Sequence, residues 1–243
     1  MYYDFHTHLD MYDRIEPIIK EINDKEIFTI SASVDVDSYA RNKEISYISP
    51  LIIPTFGIHP SMAVYYENRL AELDNYIMES PIIGEIGLDY LWVDPLNKDA
   101  QKKVFRYIAK KAVSQDKYIV IHTKNAEHDI LDILTELKAE KVIVHWYSGP
   151  EDIFNEYLSK GWYFTYGVEL EFSELIRSYV AKTPLNRLLA ETDNPVGIEW
   201  FSDRIGKPNE ILGVYTMITE IKKIGISKLN QLIEINSKRI LNR

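Results

Sequence analysis

Apolar residues recur along this chain in two rhythms. Short runs that are nearly continuous in hydrophobic side chains alternate with stretches where such residues return every three to four positions. The runs Tyr2–His8, Ile27–Val34, Leu51–Ile58, Ile82–Leu88, Tyr118–Thr123, Lys141–Trp146, Gly161–Val168 and Arg187–Asp193 predict eight β-strands. Several lack the polar alternation of a half-exposed strand, as expected of parallel strands covered on both faces. Between them, Lys98–Gln115 predicts the clearest helix. Val104, Ile108, Ala112 and Val113 lie roughly along one stripe, and Lys102, Lys103, Arg106, Lys110 and Lys111 cover much of the rest, a solvated exterior. Two last helices, near Asn209–Lys223 and Ser227–Leu241, complete the outer layer.

Strands alternating with helices predict α/β architecture with right-handed crossovers. Eight strands favour a closed barrel over an open doubly wound sheet. The expected fold is therefore a single (β/α)8 TIM barrel spanning residues 1–243, a length that suits one barrel-sized domain. No glycine-rich dinucleotide fingerprint follows the first strand, which ends in Asp4-Phe-His-Thr-His8 instead. No fixed-period repeat, low-complexity tract or linker divides the chain.

Composition narrows the chemistry. The chain has no cysteine, so disulfides and thiolate metal sites are excluded. Any metal must be held by histidine and carboxylates, which suits Zn²⁺, Mn²⁺, Fe or Mg²⁺. The net charge of −9 argues against a broad basic footprint for nucleic acid. Bound divalent ions would still supply positive charge where carboxylates are densest, so an enzyme that engages DNA transiently fits better than a DNA scaffold. The N-terminus lacks a signal-peptide series, and no apolar run approaches the roughly 20 residues needed to span a bilayer. A cytoplasmic protein without a membrane anchor is expected.

The histidines are placed non-randomly against these elements. His6 and His8 end the first strand, His59 follows the third, His122 ends the fifth and His145 the sixth. Only His128, in the helix after strand five, stands apart, and it is expected on the surface. Glu85 lies in strand four, and Glu191 and Asp193 end strand eight. In a barrel these points converge on the C-terminal rim, where barrel active sites are built. Residues two apart on a strand share a face, so His6 and His8 can bind one metal. Asp4 lies beneath them on that face and suits a carboxylate that fixes an imidazole tautomer.

The run Asp4-Phe-His-Thr-His-Leu-Asp10, then Gly57-Ile-His-Pro60 and Gly84-Glu-Ile-Gly-Leu-Asp-Tyr90, resembles the opening half of TatD-like hydrolases. Gln101 and Phe105, Ile121-His-Thr-Lys124, His145-Trp-Tyr-Ser-Gly149 and Glu191-Thr-Asp-Asn-Pro195 continue the likeness in order. Gly206-Lys-Pro-Asn209 and Asn236-Ser-Lys-Arg239 match more loosely. The resemblance implies a metal-dependent deoxyribonuclease on a TIM barrel, often directed at DNA 3′ ends, with single-stranded or frayed DNA as substrate. It implies two divalent metal ions, Mg, Mn or Zn. His6, His8 and Asp193 would hold one, His122 and His145 the other, and Glu85 would bridge them. Asp193 would also orient or deprotonate the attacking water, and His59 would contact the scissile phosphate. Two ions about 3.5–4 Å apart can bind both the attacking and the leaving oxygen of an in-line displacement.

The chain departs from the family where substrate is handled. His122-Thr-Lys-Asn125 stands where the family has His-Ser-Arg-Asp, so Lys124 offers a phosphate a point charge and no guanidinium fork. An ordinary solvated lysine is the competing reading of Lys124, and a strand-ending loop cap that of His59. His145-Trp-Tyr-Ser-Gly149 replaces His-Cys-Phe-Ser-Gly, placing Trp146 beside a ligand, and Ile108 replaces a second glutamine. Trp146 and the short chain resemble the divergent QatD-like nucleases of anti-phage operons, which implies protein partners in a defence complex. Trp92 and Trp146 are candidates for stacking on splayed bases, whereas Tyr147 and Trp200 are as well explained by chance placement. Glu191 reads as a partner of a ligand, and Asp89 and Tyr90 as structural loop residues.

Two other functions compete with a nuclease. An amidohydrolase-type enzyme acting on a small lactone, amide or phosphoester would share the His-x-His and the strand-end ligands. Against it, Glu85 stands where many such enzymes carry a carboxylated lysine. A non-catalytic, metal-stabilised partner-binding subunit would be expected to have lost a ligand, and none is lost.

Overall fold

In a computed structural model that describes residues 1–242, all eight expected strands form. In chain order the elements are β1 (Tyr2–Thr7), α1 (Ile15–Lys25), β2 (Ile27–Ala32), α2 (Val36–Ser46), β3 (Ile52–Thr55), α3 (Ala63–Tyr66), α4 (Asp74–Glu79), β4 (Ile83–Asp89) and α5 (Lys98–Ser114). They continue with β5 (Ile119–Lys124), α6 (Glu127–Glu136), β6 (Val142–Val144), α7 (Glu151–Ser159), β7 (Tyr163–Tyr166), α8 (Glu174–Lys182), β8 (Leu188–Ala190), α9 (Glu210–Lys222) and α10 (Ile226–Ile240). β6 and β8 are shorter than expected because Trp146 and Asp193, just beyond them, take left-handed backbone angles (φ 42° and 52°) that end the pleat.

The chain divides into two compact units. The first holds Met1–Ser31, Arg41–Pro54 and the chain from Phe164 on. In it β1 pairs in parallel with β2, Tyr2 opposite Ile27 and Asp4 opposite Thr29, and β3 flanks β2. β7 pairs in parallel with β8, Phe164 opposite Leu188. Past the end of β8 the Asp193 N–H donates to the His6 carbonyl at 2.9 Å, and the His8 N–H donates back to the Asn194 carbonyl at 2.6 Å. The C-terminal ends of β1 and β8 are thereby locked in register. α1 contributes Ile15, Ile18, Ile19 and Ile22 to a core shared with Leu9, Ile45 and Ile52. α9 and α10 pack on β1 and β8, burying Ile211, Val214, Ile218, Leu229 and Ile233.

The second unit holds Ala32–Ala40 and Thr55–Tyr163. Here β4 pairs in parallel with β5, and β5 with β6, setting Gly87 opposite His122, Asp89 opposite Lys124 and Ile121 opposite Val144. α5 covers β4 with Ala100, Val104, Phe105, Ile108, Ala109 and Ala112, a wider stripe than the sequence suggests, with Val113 half-buried at its margin. Its basic face is not merely solvated. Lys102 pairs with Asp129 at 2.8 Å, Arg106 with Glu136 at 2.6 Å and Lys111 with Asp74 at 2.7 Å. Solvent screens such exposed pairs and leaves them little net stabilisation, so the buried stripe holds the helix.

Candidate metal centre

In the first unit, His6 near the end of β1, His8 just beyond it and Asp193 just beyond β8 bring three donor atoms together. The two Nε2 atoms are 3.2 Å apart, and Asp193 Oδ1 lies 3.6 Å from His6 Nε2 and 3.4 Å from His8 Nε2. Donors bonded to one ion at about 2.0–2.1 Å in tetrahedral geometry lie about 3.3 Å from one another. The three observed separations are edges of such a polyhedron, and the donor set fits a divalent ion. Asp193 reaches the cluster through its left-handed backbone, which a short polar side chain tolerates. Gly197 N–H fixes that turn by donating to the Asp193 carbonyl at 2.7 Å.

Asp4 does something different from the expected fixing of an imidazole. Its carboxyl meets the Thr192 N–H at 3.0 Å and the Thr192 hydroxyl at 2.6 Å, with a longer contact to the His6 backbone N–H. It therefore holds the segment that presents Asp193. Burial lifts its pKa to about 8 against the lowering effect of the Thr192 hydroxyl. Glu191, fully buried, stands outside the three-donor groups and acts on Asp4 through its charge.

In the second unit the carboxylate of Glu85, on β4, gathers three imidazoles. Its Oε1 lies 2.8 Å from His122 Nδ1, 3.7 Å from His145 Nε2 and 4.0 Å from His59 Nε2. Two glycines permit this. A β-carbon at Gly57 would overlap the backbone of Glu85, and one at Gly87 would overlap the carbonyl of His122. The Gly-x-His-Pro and Gly-Glu-Ile-Gly motifs thus encode close backbone approach to the ligands themselves.

His59, Glu85 and His122 lie close enough to share an ion, yet the hydrogen bonds of His59 argue otherwise. The Ser61 N–H donates to His59 Nδ1 at 3.2 Å, so the neutral ring carries its proton on Nε2, the atom that faces Glu85. His59 is placed to donate to an anionic oxygen, as the phosphate contact expected of it requires.

His122 is held from both sides. Its Nε2 lies 3.0 Å from Asp89 Oδ2, opposite the Glu85 contact at Nδ1. Burial works against the imidazolium, but the bonds to Asp89 and Glu85 outweigh it and raise the ring's pKa. For Asp89, burial pushes the carboxyl up, while the His122 ring and the Trp92 N–H outweigh it and hold the pKa at about 2. The sequence marks Asp89 only as a loop residue and does not show this contact. The one available signal was its place at the end of a strand bearing a ligand. Tyr90 has the loop role expected, donating to Asp129 at 2.6 Å.

Lys124 is not a solvated lysine. It is buried, its ammonium donating to the Trp146 carbonyl at 3.0 Å and Ser148 Oγ at 3.1 Å, 5.3 Å above the Trp92 ring. Trp92, 53% exposed, also lies 6.4 Å from the His122 ring. Trp146 is only 9% exposed and packs edge-on to His145, leaving little face for a base. Trp200 is exposed in the first unit, and His128 is exposed on α6 as expected. Of the six expected ligands, His6, His8 and Asp193 belong to one unit and Glu85, His122 and His145 to the other.

Donor clusters of histidine and carboxylate at the ends of parallel strands, with no thiolate, define a metal-dependent hydrolase of the (β/α)8 class. Residues 3–242 match the family model described as TatD related DNase, and the chain belongs to that family. It is 29% identical to the uncharacterized metal-dependent hydrolase YabD of Bacillus subtilis (strain 168), covering 99% of this chain and 98% of that protein. Among solved structures, YJJV, a TatD homolog from Escherichia coli K12, superposes with a TM-score of 0.90 at 20% identity, covering 100% of this chain and 98% of that one. A TatD family hydrolase from Entamoeba histolytica gives 0.84 at 18% identity, covering 98% and 97%. This likeness gives the fold, the (β/α)8 barrel type expected from the sequence. Among the described residues no helix is long and apolar enough to cross a membrane.

Proposed function

We propose that the protein is a DNA phosphodiesterase that frees nucleotides from the 3′ ends of single-stranded or frayed DNA, with two divalent metal ions. The observation that carries this reading is the His6–His8–Asp193 cluster, whose 3.2–3.6 Å separations suit one ion. His122 and His145 beside Glu85 offer the donors for a second, and the bridging place that the resemblance gives Glu85 is part of the proposal. These donors would hold divalent ions whose chemistry would be positive charge for a phosphoryl oxygen and a lowered pKa for a bound water.

The chain's own residues account for the rest. His59 donates from Nε2 to a non-bridging phosphate oxygen, and Asp193, its side chain 14% exposed, orients the attacking water and accepts its proton. Lys124 places a fixed positive charge beside the Trp92 ring, so a phosphate and its base can be met together. Family membership supports DNA over a lactone or amide.

Digestion of end-labelled single- and double-stranded oligonucleotides by zinc- or manganese-loaded protein tests this. The expected result is a ladder shortening from the 3′ end that chelator abolishes. Cleavage of a small ester or lactone by metal-loaded protein that leaves DNA and RNA untouched would replace the reading with the amidohydrolase one.

A further inference from the structure

The Asp89 carboxylate has more partners than a loop residue needs. Asp89 ends β4, and Gln101 of α5 clamps its backbone in both directions. The Asp89 N–H donates to Gln101 Oε1 at 2.8 Å, and Gln101 Nε2 donates to the Asp89 carbonyl at 2.9 Å. The side chain, 1% exposed, then splits its two oxygens. Oδ1 accepts the N–H groups of Leu91 at 2.8 Å and Trp92 at 2.7 Å, and Oδ2 meets His122 Nε2 at 3.0 Å.

An ionised carboxylate only accepts hydrogen bonds, so the His122 proton facing it must sit on Nε2. That leaves Nδ1, the atom turned toward Glu85 Oε1, with a lone pair when the ring is neutral. A metal-ligating imidazole is commonly fixed in this way through its other nitrogen. We propose that Asp89 is a positioning residue that sets the tautomer of His122, making Nδ1 its metal-binding atom, and with its other oxygen pins the Trp92 loop beside it. The inference rests on His122 being a metal ligand and is independent of what the substrate is.

Asparagine at this position separates the two tasks. Two backbone N–H groups face Oδ1, so the amide oxygen of Asp89→Asn must take that side. Its NH₂ then faces His122, which can accept only at Nε2 and must carry its proton on Nδ1. The loop stays capped while the metal-binding lone pair is lost.

The test uses the full chain with ring-¹⁵N-labelled histidine and zinc alone as the probe. In the zinc-loaded parent the His122 resonances should report a protonated Nε2. Zinc titration of Asp89→Asn should resemble that of His122→Ala, with the corresponding affinity down roughly 10- to 100-fold. Amide exchange at Leu91 and Trp92 should stay within about threefold of the parent, because a hydrogen bond to each is kept. A protonated Nδ1 in the parent overturns the proposal, and this measurement needs no variant to fold. Zinc affinity within about threefold of the parent in folded Asp89→Asn overturns it too. Parent protein that binds no zinc would instead overturn the metal-dependent reading beneath it, so the two failures are distinguishable.

Discussion

The backbone of Gly87 lies so close to the carbonyl of His122 that a single added methyl group would overlap it. Both residues sit at facing positions in the parallel β4–β5 ladder. The spacing between the strand that carries Glu85 and the strand that carries His122 is therefore set by a missing side chain.

It follows that Gly87→Ala should act on stability and on the site together. The obstacle is backbone and cannot rotate away, so the cost should reach the upper part of the overpacking range, about 3 kcal/mol. Urea unfolding reads this directly, and zinc binding through His122 should weaken in the folded fraction. A midpoint unchanged from the parent would show that β4 and β5 can separate without penalty.

Most of the site was legible because its residues are rare and its positions are topological. His6, His8, Glu85, His122, His145 and Asp193 all lie in or just after strands, and within each unit parallel strands deliver such residues to their own C-terminal ends whatever the loops do. What could not be read depends on side chains meeting across elements. Asp89 and His122 are 33 residues apart, and nothing local shows that one ring lies between two carboxylates. Lys124 looks like any lysine near a strand end until β5 and the loop after β6 bring the Trp146 carbonyl and Ser148 to its ammonium. Asp4 shares a face with His6 and His8, which suggested an imidazole partner. The lock between β1 and the end of β8 instead brings Thr192 to it. β6 and β8 end earlier than the apolar pattern suggests for a similar reason. Trp146 and Asp193 look like strand residues by composition, and only the turn geometry that aims their neighbourhood at the site reveals their positive φ.

The two tryptophans that the sequence offers for base contact should separate cleanly. Trp92 is half exposed over Lys124 and beside His122, so Trp92→Ala should leave unfolding nearly unchanged. It should lose the stacking of about one base, about 1–3 kcal/mol, seen as a KM for single-stranded oligonucleotides raised by roughly 5- to 150-fold. Trp146 is buried against His145, so Trp146→Ala should cost about 3–5 kcal/mol of stability through the cavity it leaves. The comparison fails if Trp92→Ala destabilises as much as Trp146→Ala, or if neither affects oligonucleotide KM.

Metal should also stabilise the fold, because the donors of each cluster are assembled only in the native chain. His6 and His8 are two residues apart, but Asp193 joins them only through the β1–β8 lock, and His122 meets Glu85 only through the β4–β5 pair. An ion that binds this state and not the unfolded chain adds about 2.7 kcal/mol at a hundred times its dissociation constant. For a chain of this size that corresponds to a rise of about 5–11 °C in melting temperature. Thermal unfolding of chelator-treated protein with and without zinc or manganese measures it. His8→Ala and His122→Ala, one in each unit, should each keep only part of the rise. If the parent melts at the same temperature with and without every divalent ion tried, the two donor clusters are packing features of the barrel ends and not metal sites.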